Sequence, residues 1–336
     1  MSPRERVEAA LSFEEVDFVP VLPPFQGFWA IGVYEQKISE TFKYPMKGAD
    51  AQIKILQKVP FDGLEVFWDW LTPVEACGCK VQLPERGNPI TIERLVKTPE
   101  DIERLDMPNL SKNLRTKNNF EMAHYLRKML SKERYVYVTL TLPFTLAGEL
   151  RGVEALMLDI LKRPTNVHKL LNFTTKVLIE YAKLSSQIGI DAIFWCDPTA
   201  SADLISPKHF KNFVVPYTKE ILQKTRDLGM KAFLHICGNT SDRLEAILDL
   251  SPDLMSFDTK VDLSIAKTVL NKKVPIMGNV STTDLLMKGP LDIINASKEC
   301  IKRAGKVGFM LGAGCDIPID SPIENVKALC DGAKQV

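Results

Sequence analysis

Short apolar runs alternate with longer stretches of helical spacing along almost the whole chain, and that rhythm limits the folds open to it. Eight runs read as strands, near residues 19, 65, 138, 193, 233, 256, 276 and 309. Tyr135–Leu142 is the plainest, β-branched and aromatic until Pro143 ends it. Helical spacing covers about 116–131, 152–162, 166–187 and 207–227 between them. Ser206 and Pro207 supply the cap and first turn of the last of these, as Ser2 and Pro3 do for an N-terminal helix. Such alternation predicts parallel β/α units, and eight units predict a closed (β/α)8 TIM barrel. The competing open, doubly wound sheet would be favoured by a Gly-x-Gly-x-x-Gly loop after the first strand, and the chain has none there. A length of 336 residues suits one barrel domain over 1–336 with an N-terminal extension. Residues 77–112 break the rhythm with Gly and Pro and read as a small insertion, with a hairpin and then a short helix opening at Thr98.

Charge and cysteine content narrow the function. The net charge is +1, with acidic and basic residues mixed along the chain, which argues against nucleic acid or an anionic membrane as the partner. No apolar run approaches the ~18 residues of a membrane span, and the charged N-terminus does not resemble a signal peptide. Seven cysteines, odd in number and irregular in spacing, suit a reducing compartment, so a cytoplasmic protein is expected. Cys196, Cys300 and Cys330 read as buried thiols. Cys77 and Cys79, with one intervening residue, match poorly the spacing of structural zinc pairs.

In a barrel of this kind chemistry sits at the C-terminal ends of the strands. Those ends carry Asp197, His235 with Cys237, Asp258, Asn279 and Cys315. His235 and Cys237 are two apart, so on a strand they leave the same face. With Cys315 they supply the three protein ligands of an open tetrahedral zinc site. Two thiolates would make that zinc a mild Lewis acid, suited to holding a sulfur nucleophile rather than to hydrolysis. Asp197 and Asp258 are candidates to orient the ligands or act in catalysis. Asn279, and the aromatic side chains Phe25, Phe28, Trp29, Trp68 and Trp70, are candidates to contact substrate near the mouth.

Several segments carry a family resemblance: Asp197-Pro-Thr-Ala-Ser, Ile205-Ser-Pro, His235-Ile-Cys-Gly-Asn, Gly278-Asn-Val-Ser, Lys288-Gly-Pro, and Gly314-Cys315 followed by Ser321-Pro-Ile-Glu-Asn. Over about 190–330 the chain resembles the uroporphyrinogen decarboxylase superfamily, and within it the zinc-dependent corrinoid methyltransferases of the methylcobamide:coenzyme M type. The resemblance implies zinc on His235, Cys237 and Cys315, and a corrinoid carried by a separate protein partner. It also implies methyl transfer between the corrinoid cobalt and a small zinc-held molecule, a thiol such as coenzyme M. The decarboxylases use an N-terminal arginine-rich stretch to hold an acidic tetrapyrrole, and Pro23–Ala30 here contains no arginine. The segment Cys315-Asp-Ile-Pro stands where coenzyme M enzymes carry Cys-Gly-Ile-Ala. Asp316, a further catalytic candidate, and the aromatic loop therefore keep a second substrate class open: a methoxyarene, whose methyl group would pass to cob(I)alamin in an O-demethylation.

Overall fold

The computed structural model describes residues 1–66, 69–130, 133–270 and 272–336. Its centre is a curled sheet of seven parallel strands: β1 (Gly63–Val66), β4 (Tyr135–Thr141), β5 (Ala192–Cys196), β6 (Lys231–Ile236), β7 (Leu254–Phe257), β8 (Ile276–Val280) and β9 (Phe309–Ala313), neighbours in that order. Helices connect successive strands, as parallel pairing requires. β2 (Lys80–Gln82) and β3 (Ile90–Glu93) form a separate antiparallel hairpin within the interval 77–112.

The run near residue 19, expected as a full strand, is reduced to one bridge between Val21 and Leu311. Proline is the physical reason: Pro20, Pro23 and Pro24 have no N–H to donate, which leaves Val21 and Leu22 as the paired residues. Those two nevertheless reach both edges of the sheet. Leu22 N–H donates to the Leu311 carbonyl at 3.0 Å, and Asp62 N–H donates to the Val21 carbonyl at 3.0 Å. The Asp62 carboxylate also accepts from Val21 N at 2.7 Å. A second departure is the helix expected over 207–227, which breaks into Pro207–Phe213 and Val215–Asp227. Pro216 cannot donate to the preceding turn, so the break falls beside it.

Strand alternation sorts the core into two layers. Val136, Val138, Ile193, Trp195, Leu234 and Phe257 belong to the large cluster that packs the strands on the surrounding helices. Tyr135, Tyr137, Phe194, Phe233, Leu254, Met277 and Met310 form a separate interior cluster. The N-terminal helix Pro3–Leu11, capped by Ser2 with a reciprocal bond from Glu5, adds Val7 and Ala10 to that interior cluster. Its Arg6 pairs with the buried Asp62 and with Asp17. Burial still pushes the Asp62 carboxyl above its ordinary range, so this charge depends on its partner. Replacing Arg6 by alanine leaves Asp62 buried without that guanidinium. The Arg6→Ala chain should lose about 3 kcal/mol of stability, read as a lower urea midpoint; an unchanged midpoint would show that the pair contributes nothing.

Candidate metal centre and cavity

The strands that build the interior cluster continue upward into polar residues on the same face. Thr141 pairs with Cys196, Cys196 with His235, and His235 with Ser256 in the parallel registers of β4 to β7. These four therefore lie in one row across adjacent strands, and Cys237 follows His235 at the next inward position. Cys315 arrives from the loop just after β9. The nitrogen and sulfur atoms of His235, Cys237 and Cys315 lie within 4.8 Å of one another. Cys237 Sγ is 3.3 Å from His235 Nε2 and 3.5 Å from Cys315 Sγ. His235 Nδ1 meets Ser256 Oγ at 3.1 Å. That leaves Nε2 facing the sulfurs as the ligating nitrogen, with Nδ1–H donating to the serine.

Two thiols this close cannot both ionise without a cation beside them. The contact between them pushes the Cys237 thiol up and holds the Cys315 thiol down, with His235 also holding Cys315 down. A divalent metal removes the need to share a proton, because it stabilises both thiolates together. One imidazole and two thiolates at this spacing fit a soft or borderline cation with one coordination position open. Ser256→Ala should lower metal affinity about tenfold or more by freeing the imidazole, measured by competition with a chromophoric chelator; equal affinity would show that the serine does not orient the ring.

The three side chains border a cavity of about 210 Å³ at the rim. Phe25, Phe28 and Trp70 form its apolar wall, with Phe25 packed edge-on against His235 at 5.0 Å. Thr139, Thr141 and Cys196 line it from β4 and β5. Two acids face it as well, Glu65 and Asp316. Glu65 accepts from Gln26 N at 2.7 Å, from Gly27 N at 3.0 Å and from the Thr139 hydroxyl. Burial nevertheless raises it to about 7. Burial, then the negative charge of Cys315 and Glu65, pushes Asp316 well above the carboxylate range, and its Oδ1 has no hydrogen-bond partner among the described residues. The loop between β2 and β3 brings Asn88 to the same cavity. Ion pairs from Arg86 to Asp320 and from Lys37 to Glu85 tie that loop down.

The other residues singled out in the sequence lie elsewhere. Asp197 turns away from the cavity, as the next position after inward-facing Cys196 must. Its Oδ1 accepts from Thr145 N at 3.0 Å and from the Thr145 hydroxyl at 2.6 Å, and burial raises it to about 7. Asp258 holds the loop that carries Cys237, accepting from Gly238 N at 2.9 Å. Asn279 donates to the Asp258 and Val261 carbonyls at 3.0 and 2.8 Å, beneath that loop. Gly278, at φ +139°, interrupts the alternation just before it, and a Cβ there would meet the Phe257 carbonyl at 2.8 Å. Gly314 is required by packing, since a side chain there would run into Thr259. Trp29 is fully buried in the core and donates to the Ser321 carbonyl at 2.8 Å. Trp68 lies outside the described residues. Cys77 and Cys79 are free thiols, and burial raises Cys77 to about 12.

Glu65 and Ser256 are the functional candidates that sequence reasoning missed. Glu65 had a signal, a lone acid inside a fully buried strand. Ser256 had none without the register. Because an unfolded glutamate titrates near 4.5, the folded chain keeps a proton on Glu65 that the unfolded chain loses. Its contribution to stability is complete below that value and is lost as pH rises to about 7. In Glu65→Gln, the decline in urea midpoint from about pH 5 to about pH 8 should flatten; an unaltered slope would mean that Glu65 is ionised throughout.

Known proteins place these features in context. A family model described as uroporphyrinogen decarboxylase (URO-D) matches residues 2–336. The methylcobamide:CoM methyltransferase MtbA of Methanosarcina acetivorans is 28% identical over 342 residues, covering 99% of this chain and 98% of that protein. The methylated-thiol–coenzyme M methyltransferase of Methanosarcina mazei is 26% identical, covering 100% and 90%. A solved methyltransferase from Methanosarcina mazei superposes with a TM-score of 0.92 at 25% identity, covering 100% of this chain and 99% of that one.

Proposed function

The chain belongs to the uroporphyrinogen decarboxylase family, and from that premise we propose that it is a zinc-containing methyltransferase that moves a methyl group between the cobalt of a corrinoid protein and a small thiol. The observation that carries the proposal is the set of one imidazole and two thiols within 4.8 Å at the C-terminal rim. The relatives named as methylcobamide:CoM and methylated-thiol–coenzyme M methyltransferases support the reaction class. Zinc bound there would supply Lewis acidity toward a sulfur donor, keeping it ionised near neutral pH yet nucleophilic.

The chain's own residues do the remaining work. Ser256 meets the His235 ring, the Asp258 carboxylate holds the Cys237 loop through Gly238 N, and Asn279 holds the backbone of Asp258. Phe25, Phe28 and Trp70 wall the cavity with apolar surface, which limits water around the reacting sulfur. In this reading the seven strands and the Val21 segment act as one (β/α)8 barrel domain over 1–336, with 77–112 inserted to cover the rim. A cytoplasmic location and a corrinoid-protein partner complete the proposal. No helix among the described residues is long and apolar enough to cross a membrane. The aromatic wall favours a second reading, in which a methoxyarene occupies the cavity and its methyl group leaves toward cob(I)alamin.

One assay separates the two. The purified protein should contain about one zinc per chain and should demethylate methylcobalamin when given a small thiol, followed by the cobalamin spectrum. Cys315→Ala and His235→Ala should lose the metal and at least about a hundredfold of the rate. Methylation of cob(I)alamin from a methoxybenzene, without thiol activity, would replace the thiol reading with the ether one. A metal-free protein with full thiol activity would overturn both.

A further inference from the structure

The charge of the cavity constrains which thiol it takes. None of the described residues lining it is lysine or arginine, whereas two acids, Glu65 and Asp316, face it. Arg86, two residues before Asn88 on the β2–β3 loop, is already paired with Asp320 at the surface. Both cysteines add negative charge, which a divalent ion would balance and not exceed. A permanent anion at the far end of the substrate would sit in this space without a counter-ion, and burying an unpaired charge is costly. Phe28 and Trp70, tilted against each other 6.3 Å apart, line it with aromatic surface that offers an anion no counter-charge.

We infer that this cavity selects small thiols whose far end is uncharged or cationic and discriminates against a sulfonate or carboxylate end. The inference rests on the thiol reading of the metal site. It separates this chain from what the names of its coenzyme M-dependent relatives describe, although the same three ligands would serve both.

Three two-carbon thiols differ in their far end and test the point: 2-aminoethanethiol, 2-mercaptoethanol and 2-mercaptoethanesulfonate. Each is titrated into Co(II)-substituted protein, following the thiolate-to-cobalt absorption, and each is then assayed for methylcobalamin demethylation. The amine and the alcohol should bind at least about tenfold more tightly than the sulfonate. Asn88→Lys places a cation on the exposed loop at the cavity edge, and it should raise sulfonate affinity relative to the alcohol by about tenfold. Sulfonate binding equal to or tighter than the others in the unaltered protein would overturn the inference and leave the thiol reading intact. No spectral response to any thiol would overturn both. An Asn88→Lys chain that binds all three as before would also count against it, because charge would then not govern the cavity.

Discussion

Alternation along a parallel strand is the constraint on which everything else here depends. Residues two apart share a face, so an interior built from Tyr137, Phe194, Phe233 and Leu254 must continue upward into Thr139, Cys196, His235 and Ser256. Shifting β6 by one residue would put His235 against the helices and Leu234 into the cavity. Burial holds the register, because apart from Lys231 every position of these strands is buried. The cluster of His235, Cys237 and Cys315 is thus a by-product of core packing, placed where the apolar layer ends.

The same burial sets the electrostatics. Glu65, Asp197, Asp62 and Asp316 all sit where water is scarce, and each is driven toward its neutral form. Their surroundings differ in what they offer in return. Asp62 has a guanidinium, Asp197 a pair of threonines, and Glu65 two amides and a hydroxyl. Asp197 and Asp316 each keep one oxygen without a partner among the described residues, and only that of Asp316 lies beside the three metal-capable side chains. An unsatisfied polar atom is expensive in a core and useful in a binding site. Asp197 and Asp316 thus carry the same functional group at the ends of two strands, and only the second faces substrate space.

The donor set and the cavity answer different questions about chemistry. One imidazole with two thiolates points to sulfur and to methyl transfer, in line with the family and the methyltransferase relatives. The wall residues bear on which molecule carries that sulfur. Phe25, Phe28, Glu65, Trp70 and Asn88 come from the first hundred residues, outside the half of the chain in which the family motifs are dense. The same imidazole and thiol set could therefore accompany a different substrate.

Composition and spacing alone determined a good deal. Seven of the eight expected strands, the capped N-terminal helix and the hairpin in 77–112 follow from local propensity and from the two-residue and 3.6-residue periods. The pairing of His235 with Cys237 is equally local, since it needs only two residues on one strand. Tertiary structure decided the rest. Prolines cut the segment near residue 19 to a single bridge, because a strand is defined by partners as well as by its own residues. Trp29 went into the core and Asp197 under Thr145, while Glu65 and Ser256 joined the rim. Local sequence states what a side chain can do. Which groups it meets depends on the registers of strands far apart in the chain, and those registers are set by packing the whole interior at once.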